Sequence, residues 1–450
     1  MSATTSNPSA GSDSQTMRAV LGFAAFGALL ALVGFLQSWN VMLAIFNLCL
    51  ISAVMALGVN IQWGYAGLFN VGIMGFAALG GVAAVLTSTA PVASAWQAGG
   101  LGILASGAVT LGVIALAVIA YRKLASGPLK TLVMLVVIIG GYFVIREVYD
   151  PAVAAIEADN PAQSGFLGGL GMPIMLSWAV GGVLAAAAAW LIGKVALGLR
   201  SDYLAIATLG ISEIIIAMIK NEDWLTRGVK NVTGLDRPVP YEIDLQGAPW
   251  FTQLATDRGF DLVEGSSIFV KLAYAALFSS VLIAVLALCV LALASPWGRM
   301  VRAIRDNEVS AAAMGKNVTA RHLQIFVLGS AVVGIAGAML TTLDGQFTPG
   351  SYQPLRFTFL IWVMVIVGGS GNNLGSVLGA FFIWFIWIEA EIVGNWLMAN
   401  ATQFLEEGSA LRTHLIDSAQ HMRLFTMGII MLLVMRFSPG GLLPERTASR

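Results

Sequence analysis

The sequence predicts an all-α polytopic membrane protein with about 10–12 transmembrane or half-membrane helices. Three observations support this prediction. The mean hydropathy of +0.83 lies far above the range of soluble proteins. Apolar runs close to the length that crosses a bilayer, about 20 residues, recur along the whole chain. Charged residues make up only 11% of the sequence and gather mainly in the connections between those runs, where a membrane protein tolerates charge.

The apolar runs divide the chain into predicted spans and half-spans, several of which are too short or too rich in glycine to be plain spans. They lie at 18–36, 40–60, 64–90, 98–121, 129–146, 172–195, 203–219, 268–294, 323–344, 357–369, 374–390 and 422–437. Residues 18–437 are therefore predicted to form the transmembrane domain. A disordered cytoplasmic tail at 1–17, rich in small polar residues, and a cytoplasmic tail at 438–450 are predicted to flank it.

The charges of the short connections predict the topology, because basic connections of membrane proteins lie in the cytoplasm. Basic connections carry Arg122, Lys123, Lys130, Lys194 and Arg200. They alternate with an acidic connection that carries Glu147, Asp150, Glu157 and Asp159. Carrying this alternation to both ends places both termini in the cytoplasm, including Arg18, Arg436, Arg446 and Arg450. The long connection at 221–267 then falls outside the cell as a small folded cap.

The composition argues against several classes of function. Basic and acidic residues are equal at 24 each, so no positive surplus indicates a nucleic-acid partner. Cys49 and Cys289 lie in apolar runs and the histidines are scattered, so neither disulfides nor a metal site is predicted. The sequence has no G-x-x-x-x-G-K-[ST] run for nucleotide phosphates. Because the spans also hold no paired acids and no nucleophile with a base, the chain is predicted not to be an enzyme.

The connection Ser295–His322, called the basic segment below, concentrates positive charge in a charge-poor chain. Its basic residues include Arg299, Arg302, Arg305, Lys316 and Arg321. A single helix is predicted from Arg299 to Met314, because Gly315 suits a left-handed helix cap. The apolar side of that helix would consist of Val301, Ile304, Ala311 and Met314. On its polar side, Arg302 and Asp306 are spaced to pair. Docking of a folded cytoplasmic partner and anchoring against lipid head groups both fit this pattern.

Two glycine-rich stretches are predicted to form broken helices beside a translocation path. They are GYAGLFNVGIMGFAALGG at 64–81 and VGGSGNNLGSVLGAFF at 367–382, and the tripeptide at 70–72 echoes that at 373–375 as a weak internal repeat. Irregular backbone at membrane depth must face protein or a watery cavity. The candidate path residues here are therefore Asn70, Asn372 and Asn373. A small-xxx-small pattern suited to close helix packing is formed by Gly371, Gly375 and Gly379.

Glu213 is an ionisable residue inside the apolar run YLAIATLGISEIIIAMI. A charge at that depth is costly unless it faces a partner or a cavity. Glu213 and its polar neighbours Thr208 and Ser212 are therefore further candidate path residues. The alternative is that Glu213 lies near the external end of a short span, since Lys220 follows soon after.

The order of several motifs makes the chain resemble the permease subunits of branched-chain amino-acid ABC importers over roughly residues 40–445. The motifs are GLRSDYLAIATLGISEII, SPWGRMVRAIRDNEVSAAAMGKNVTA, AVVGIAGAML, VGGSGNNLGSVLGAFF and RFSPGGLLPE. The resemblance implies that the basic segment is a cytoplasmic coupling helix seated in a groove of an ATPase subunit. The positions that match this helix are Arg299, Arg302, Arg305, Glu308 and Gly315. It also favours a path role for Glu213, because family members carry a Glu in the same setting.

The same resemblance implies the remaining parts of an importer in a bacterial inner membrane. They are a second permease subunit in a heterodimer, two cytoplasmic ATPase subunits that bind ATP and Mg²⁺, and a periplasmic solute-binding protein. No cofactor is expected in this chain, and lipid surrounds it. Branched-chain amino acids are the family's usual cargo. An ABC permease for urea or short amides and an ion-coupled secondary transporter are the alternatives.

Two departures from the family pattern leave the solute open. The run Thr226–Asn231 replaces a Gly-Gly-Pro-Asn-Gly-like sequence, and Asn70–Ile73 replaces a Ser-Leu-Gly-His stretch. Both changes are expected where solute or binding protein would be handled.

Overall fold

The computed structural model of the chain describes residues 8–161, 165–405 and 409–445. Within these ranges, ten helices are long and apolar enough to cross a membrane, and two shorter apolar helices accompany them. Only two strands of two residues each occur in the same ranges. The prediction of an all-α polytopic membrane protein is confirmed.

The elements follow one another in the order below. The first part of the chain forms α1 (Pro8–Leu36), α2 (Trp39–Ala66), α3 (Ile73–Ser88), α4 (Ala93–Ala95), α5 (Leu101–Lys123), α6 (Pro128–Ala158), α7 (Leu176–Ala196) and α8 (Ser201–Asn221). The long connection forms α9 (Asp223–Thr226), β1 (Val232–Thr233), α10 (Glu242–Gly247) and α11 (Pro249–Arg258). The remainder forms α12 (Leu262–Ala294), α13 (Pro296–Asp306), α14 (Glu308–Ala313), α15 (Val318–Asp344), β2 (Gln346–Phe347), α16 (Pro354–Gly368), α17 (Asn373–Ala401), α18 (Ala410–Asp417) and α19 (Met422–Phe437).

Both chain ends differ from the predicted tails. Helix α1 begins at Pro8, so residues 8–17 are helical and not a disordered tail, while residues 1–7 lie outside the described residues. At the other end, residues 438–445 fold back onto the bundle. The amides of Leu442 and Leu443 donate to the carbonyls of Val367 and Gly368 at 2.8 and 2.9 Å. Arg446 and Arg450 lie outside the described residues.

The predicted segment at 64–90 contains a break, as expected for a glycine-rich stretch. Helix α2 ends where Gly67 adopts a left-handed φ of 71°, and α3 begins only after an irregular loop. A second break separates α16 from α17. Of the two short helices beside these breaks, α3 is almost wholly buried within the bundle, and α16 is buried except for one side of its first turns. Irregular backbone at membrane depth needs protein partners for its polar groups, which explains why the broken helices occupy the centre.

The core of the bundle consists of helices that approach each other through glycine. Helix α15 packs against α2, α3 and α7. A Cβ at Gly80 of α3 would overlap the carbonyl of Gly334 in α15, and a Cβ at Gly337 would overlap that of Ala77. These backbones are therefore closer than any larger residue would permit.

Helices α5 and α6 form a hairpin at the edge of the molecule. The buried residues of the two helices are only Ser106, Ala120, Gly141, Ala152 and Ile156. Attachment to the bundle is concentrated at one end, where Tyr149 and Trp224 bond each other and Glu222. Almost all of the remaining apolar surface of the hairpin faces away from the chain.

The connection at 221–267 is folded, with three short helices and a strand. Strand β1 pairs with β2 in antiparallel register, with Val232 opposite Phe347. On the other face of the molecule, Gln15 of α1 donates to the carbonyl of Pro444 at 3.0 Å, and Arg305 contacts Glu445. The two described chain ends and the basic segment therefore lie on the same side of the bundle.

Candidate functional site

The basic segment forms two short helices, so the prediction of one helix from Arg299 to Met314 is wrong. Asn307 leaves the helical conformation, and its side chain accepts from the amide of Ser310 at 2.9 Å as the N-cap of α14. Asparagine is among the most favourable residues at that position, so a local capping preference divides the segment. Gly315 follows α14 with a left-handed φ of 77°, as predicted.

The apolar side of the segment is only partly as predicted. Ile304 and Ala311 pack with Val318 in a small cluster, whereas Met314 is 80% exposed. Val309 is also 80% exposed. The break at Asn307 turns α14 so that Val309 and Met314 face outward. The segment thus presents uncovered apolar side chains beyond the ends of the spans.

The charged residues of α13 do not pair as predicted. Arg302 donates to the carbonyl of Leu293 at 3.0 Å, and not to Asp306. Asp306 instead lies 3.5 Å from the guanidinium of Arg305. Arg299 donates to the carbonyl of Ala294 at 3.2 Å. Arg299 and Arg302 therefore hold α13 against the last turn of the preceding span.

Arg305 joins the basic segment to two other parts of the chain. Its guanidinium donates to the carbonyl of Gly64, near the end of α2, and lies 2.9 Å from the carboxylate of Glu445. Burial lowers the pKa of Arg305, but the Glu445 and Asp306 carboxylates outweigh burial and leave that pKa above its ordinary value. A cation held between a carbonyl and a carboxylate is a fixed structural contact.

A group of asparagine contacts continues from Arg305 into the bundle. Asn60 of α2 accepts from the amide of Gly371 at 2.9 Å and donates to Asn373 at 3.0 Å. Asn372 caps α17 by accepting from the amide of Gly375 at 3.1 Å. The junction, as we call it, comprises Asn60, Gly64, Arg305, Gly371, Asn373 and Glu445. It connects the basic segment, α2, the break before α17 and the C-terminal residues.

The other break is held by polar side chains from two helices. Asn70 accepts from the amide of Gly72 at 2.9 Å, and Ser212 of α8 accepts from the amide of Gly75 at 2.8 Å. Thr208 accepts from the amide of Val71 at 3.0 Å. The first amides of a helix have no partner within it. Ser212 therefore satisfies a first-turn amide of α3, while Thr208 and Asn70 satisfy amides of the loop before it.

The predicted path residues thus fall into two groups. Asn70, Thr208, Ser212 and Asn373 are buried and Asn372 is half-buried, and all five bond the backbone or side chains of this chain. These contacts support the breaks, and Asn372 and Asn373 also line a cavity beside the second break. Glu213 is the exception, because it is exposed and, among the described residues, no hydrogen bond or ion pair reaches its carboxylate.

The two breaks resemble each other only in part. At each break an asparagine side chain bonds a side chain of α2. Asn70 donates to Gln62, and Asn373 accepts from Asn60. The order of helix lengths is reversed, since a long helix precedes the first break and follows the second. The helix starts also differ, because Gly72 is the N-cap of α3 and has no capping side chain, whereas Asn372 caps α17 with its own side chain.

Two of the predicted packing glycines contact another helix of the same chain. A Cβ at Gly375 would lie 2.7 Å from the carbonyl of Gly368, and one at Gly379 would overlap the carbonyl of Met364. Both contacts join α17 to α16. Gly371 belongs to the loop, with a φ of 81° and Glu445 beside it, so it does not take part in helix packing.

Sequence reasoning missed Glu445, Gln62 and Gly64 as site residues. Gln62 donates to the carbonyl of Phe326 at 2.9 Å and bonds Ser330 and Asn70. A signal existed for Glu445, which ends the motif RFSPGGLLPE. Within the described residues, no group of three or more His, Cys, Asp or Glu side chains could hold a metal ion.

Comparison with known proteins identifies relatives. The family described as "Branched-chain amino acid transport system / permease component" matches residues 162–435, more than half of the chain. The high-affinity branched-chain amino acid transport system permease protein LivM of Escherichia coli is 27% identical over 274 residues, which are 59% of this chain and 56% of that protein. Its counterpart in Salmonella typhimurium is also 27% identical over 275 residues, 58% of this chain and 56% of that protein.

A probable LivM permease of Methanocaldococcus jannaschii is 25% identical over 334 residues, 74% of this chain and 84% of that protein. This chain spans little more than half the length of the two enterobacterial relatives. No solved structure matches it. The family match begins after the α5–α6 hairpin and includes α7, α8, the basic segment and both helices of the second break. The chain belongs to the family of branched-chain amino acid transport system permease components.

Proposed function

We propose that this chain is the transmembrane permease subunit of an ABC importer, and that it forms the path for a small polar solute with a second permease. Separate ATPase subunits, which bind ATP and Mg²⁺, would drive transport. A periplasmic protein would deliver the solute to the outer face of a bacterial inner membrane. The basic segment would then face the cytoplasm, together with both chain ends.

One observation carries the proposal. The basic segment forms two capped helices beyond the spans, with Val309 and Met314 each 80% exposed. Covering exposed apolar side chains with a partner lowers the free energy. The adjacent charges Glu308 and Lys316 are exposed as well and would orient that partner. A cytoplasmic ATPase subunit is the partner that this surface fits within the family.

The junction gives this surface a mechanical connection to the membrane core. Arg305 joins α13 to α2 and to Glu445, and Glu445 lies against Gly371 at the second break. A displacement of the basic segment by an ATPase would therefore be carried to α2, which holds both breaks through Asn60 and Gln62. Arg305 transmits the movement in this scheme and does not touch the ATPase.

The exposed side of α8 is the part of the chain that we assign to the solute path. Glu213 lies on that side between Gly210 and Ala217, which are also exposed. A carboxylate facing hydrocarbon would cost several kcal/mol, so a second subunit or a watery path must cover it. Branched-chain amino acids are the proposed solute, because the relatives carry that name.

The test is co-purification of the permease with its ATPase. Val309→Asp and Met314→Asp should abolish recovery of the ATPase while leaving the yield of the permease unchanged. Ile243→Asp is the matched control, because Ile243 is 79% exposed on α10, in the long connection. ATPase recovery at full yield from both variants would contradict the proposal. Solute uptake by this chain alone, driven by an ion gradient in liposomes, would favour a secondary transporter.

A further inference from the structure

A cavity of about 780 Å³ lies between α1 and α12, at the ends of these spans nearest the basic segment. Ala19, Val20 and Phe23 of α1 line one wall, and Val290 and Leu293 of α12 line the opposite wall. Val20 is 59% exposed and Val290 is 52% exposed. Both walls therefore open towards the membrane.

The polarity of the cavity changes along its length. Its walls inside the spans are apolar, whereas Arg302, Asn372 and Glu445 lie at the end next to the basic segment. The depth at which a span meets its basic connection is also the depth of the lipid head groups. A molecule that matches this cavity therefore has a polar head and an apolar chain of membrane dimensions.

The charge at the polar end favours an anion. Arg302 lines this end, and Glu445 is the single acid among the described residues that line the cavity. Glu445 is paired with Arg305, and within the described part of the chain no carboxylate forms an ion pair with Arg302. Among the described residues, the hydrogen bond of the Arg302 guanidinium goes to the carbonyl of Leu293. A guanidinium has five donors, so this contact leaves donors for a phosphate.

We propose that this cavity binds one phospholipid with an anionic head group, whose phosphate contacts Arg302 and whose acyl chain lies between α1 and α12. Basic pockets between spans commonly hold such lipids. The inference requires only that α1 and α12 cross the membrane, so it is independent of the ATPase. Arg302 is then a lipid contact, and the docking surface is confined to α14 and the residues up to Lys316.

The first experiment counts lipids on the full-length chain by native mass spectrometry in neutral detergent. Phosphatidylglycerol should remain bound at one molecule per chain, whereas phosphatidylcholine should dissociate. Arg302→Gln should weaken retention about fivefold, because one basic contact with a head group contributes roughly 1 kcal/mol. Arg299→Gln is the matched control, because it removes the same charge from the same helix outside the cavity. Equal retention of the two lipids, or equal loss in the two variants, would overturn the inference.

A second experiment locates the acyl chain and does not depend on the arginines. The chain contains 12 tryptophans, so the signal is the fluorescence that Phe23→Trp adds to that of the unsubstituted chain. This added fluorescence should be quenched by phosphatidylglycerol brominated on its acyl chain, and inorganic phosphate should neither quench it nor displace the lipid. Displacement by phosphate would show a site for free anions and not for lipid. Val290→Trp, which narrows the cavity without changing its charge, should also reduce retention. Undiminished retention in that variant would place the lipid elsewhere.

Discussion

The α5–α6 hairpin and the central bundle are both apolar, yet they are built differently. The hairpin is covered by the chain at only five residues, and a Cβ at Gly112 or Gly140 would meet open space. In the bundle, a Cβ at Gly80 or Gly379 would overlap backbone. Glycine therefore permits close contact between helices at these positions of the bundle, but it makes no such contact at these positions of the hairpin.

The difference shows what apolar composition specifies inside a membrane. Lipid tails cover an apolar helix as well as another helix does, so burial alone gives little reason for spans to associate. In the bundle, close backbone contact and buried polar bonds provide that reason. In α5 and α6 the tight glycine contacts, at Gly102 and Gly141, are with side chains, and polar bonds to the rest of the chain occur where Tyr149 meets Trp224 and Glu222.

The comparison is tested most strongly by placing leucine at one glycine from each region. Gly379→Leu should prevent α16 and α17 from approaching, because the new side chain would overlap the Met364 carbonyl. We expect a loss of at least about 1–3 kcal/mol in the free energy of unfolding, and little monodisperse protein. Gly140→Leu should fold normally. Size-exclusion profiles and melting temperatures measure both results, and equal behaviour of the two variants would break the comparison.

The ion pairs of the two regions should also differ. Removing the junction contact by Arg305→Met should cost about 1.5–3 kcal/mol, because it leaves the partly buried Glu445 without its partner. The exposed Arg146–Asp150 pair of the hairpin is the control, and Arg146→Met should cost much less, because water screens this pair. Chemical unfolding in mixed micelles provides both values. The double variant Arg305→Met, Glu445→Gln should recover part of the loss, and full additivity would show that the pair does not couple.

The exposed surfaces of the hairpin and of α8 differ in charge. The hairpin exposes apolar side chains, which lipid can cover, whereas α8 exposes Glu213, whose charge lipid tails cannot cover. Glu213→Gln keeps the size and hydrogen-bonding capacity of the side chain but removes its charge. We expect solute uptake to fall about tenfold, as when a step loses about 1.4 kcal/mol of stabilisation, with ATPase recovery unchanged. Asp202→Asn at the start of the same helix is the control and should transport normally. Full solute uptake by the Glu213→Gln variant would exclude a role of the charge.

The smallest expected effect concerns the attachment of the hairpin. Tyr149→Phe removes the hydroxyl that bonds Glu222 and Trp224, and it should cost about 1 kcal/mol. Hydrogen exchange should accelerate in α6 but not in α2. Tyr142→Phe, which removes an exposed hydroxyl bonded to Arg146 on the same helix, should leave exchange unchanged. Faster exchange in both helices would mean that the hairpin and the bundle open together.

Particular residues show how far sequence reasoning extended into the site. Gly315 was predicted from its local context, because a left-handed cap needs only the residues beside it. The division at Asn307 was missed, although its capping preference is also local. The roles of Thr208 and Ser212 could not be predicted, because their partners, the amides of Val71 and Gly75, are distant in the chain.

The sequence by itself determined that the chain spans a membrane many times, where most of the spans lie and where positive charge collects. These properties depend on local composition and length, because the length, hydrophobicity and flanking charge of a segment decide whether and how it crosses a bilayer. Only the tertiary structure decided which helix each glycine touches, and that Arg305 meets Gly64 and Glu445 rather than solvent. Those outcomes depend on contacts between different helices, because a buried polar group takes whatever partner the packed helices bring within reach.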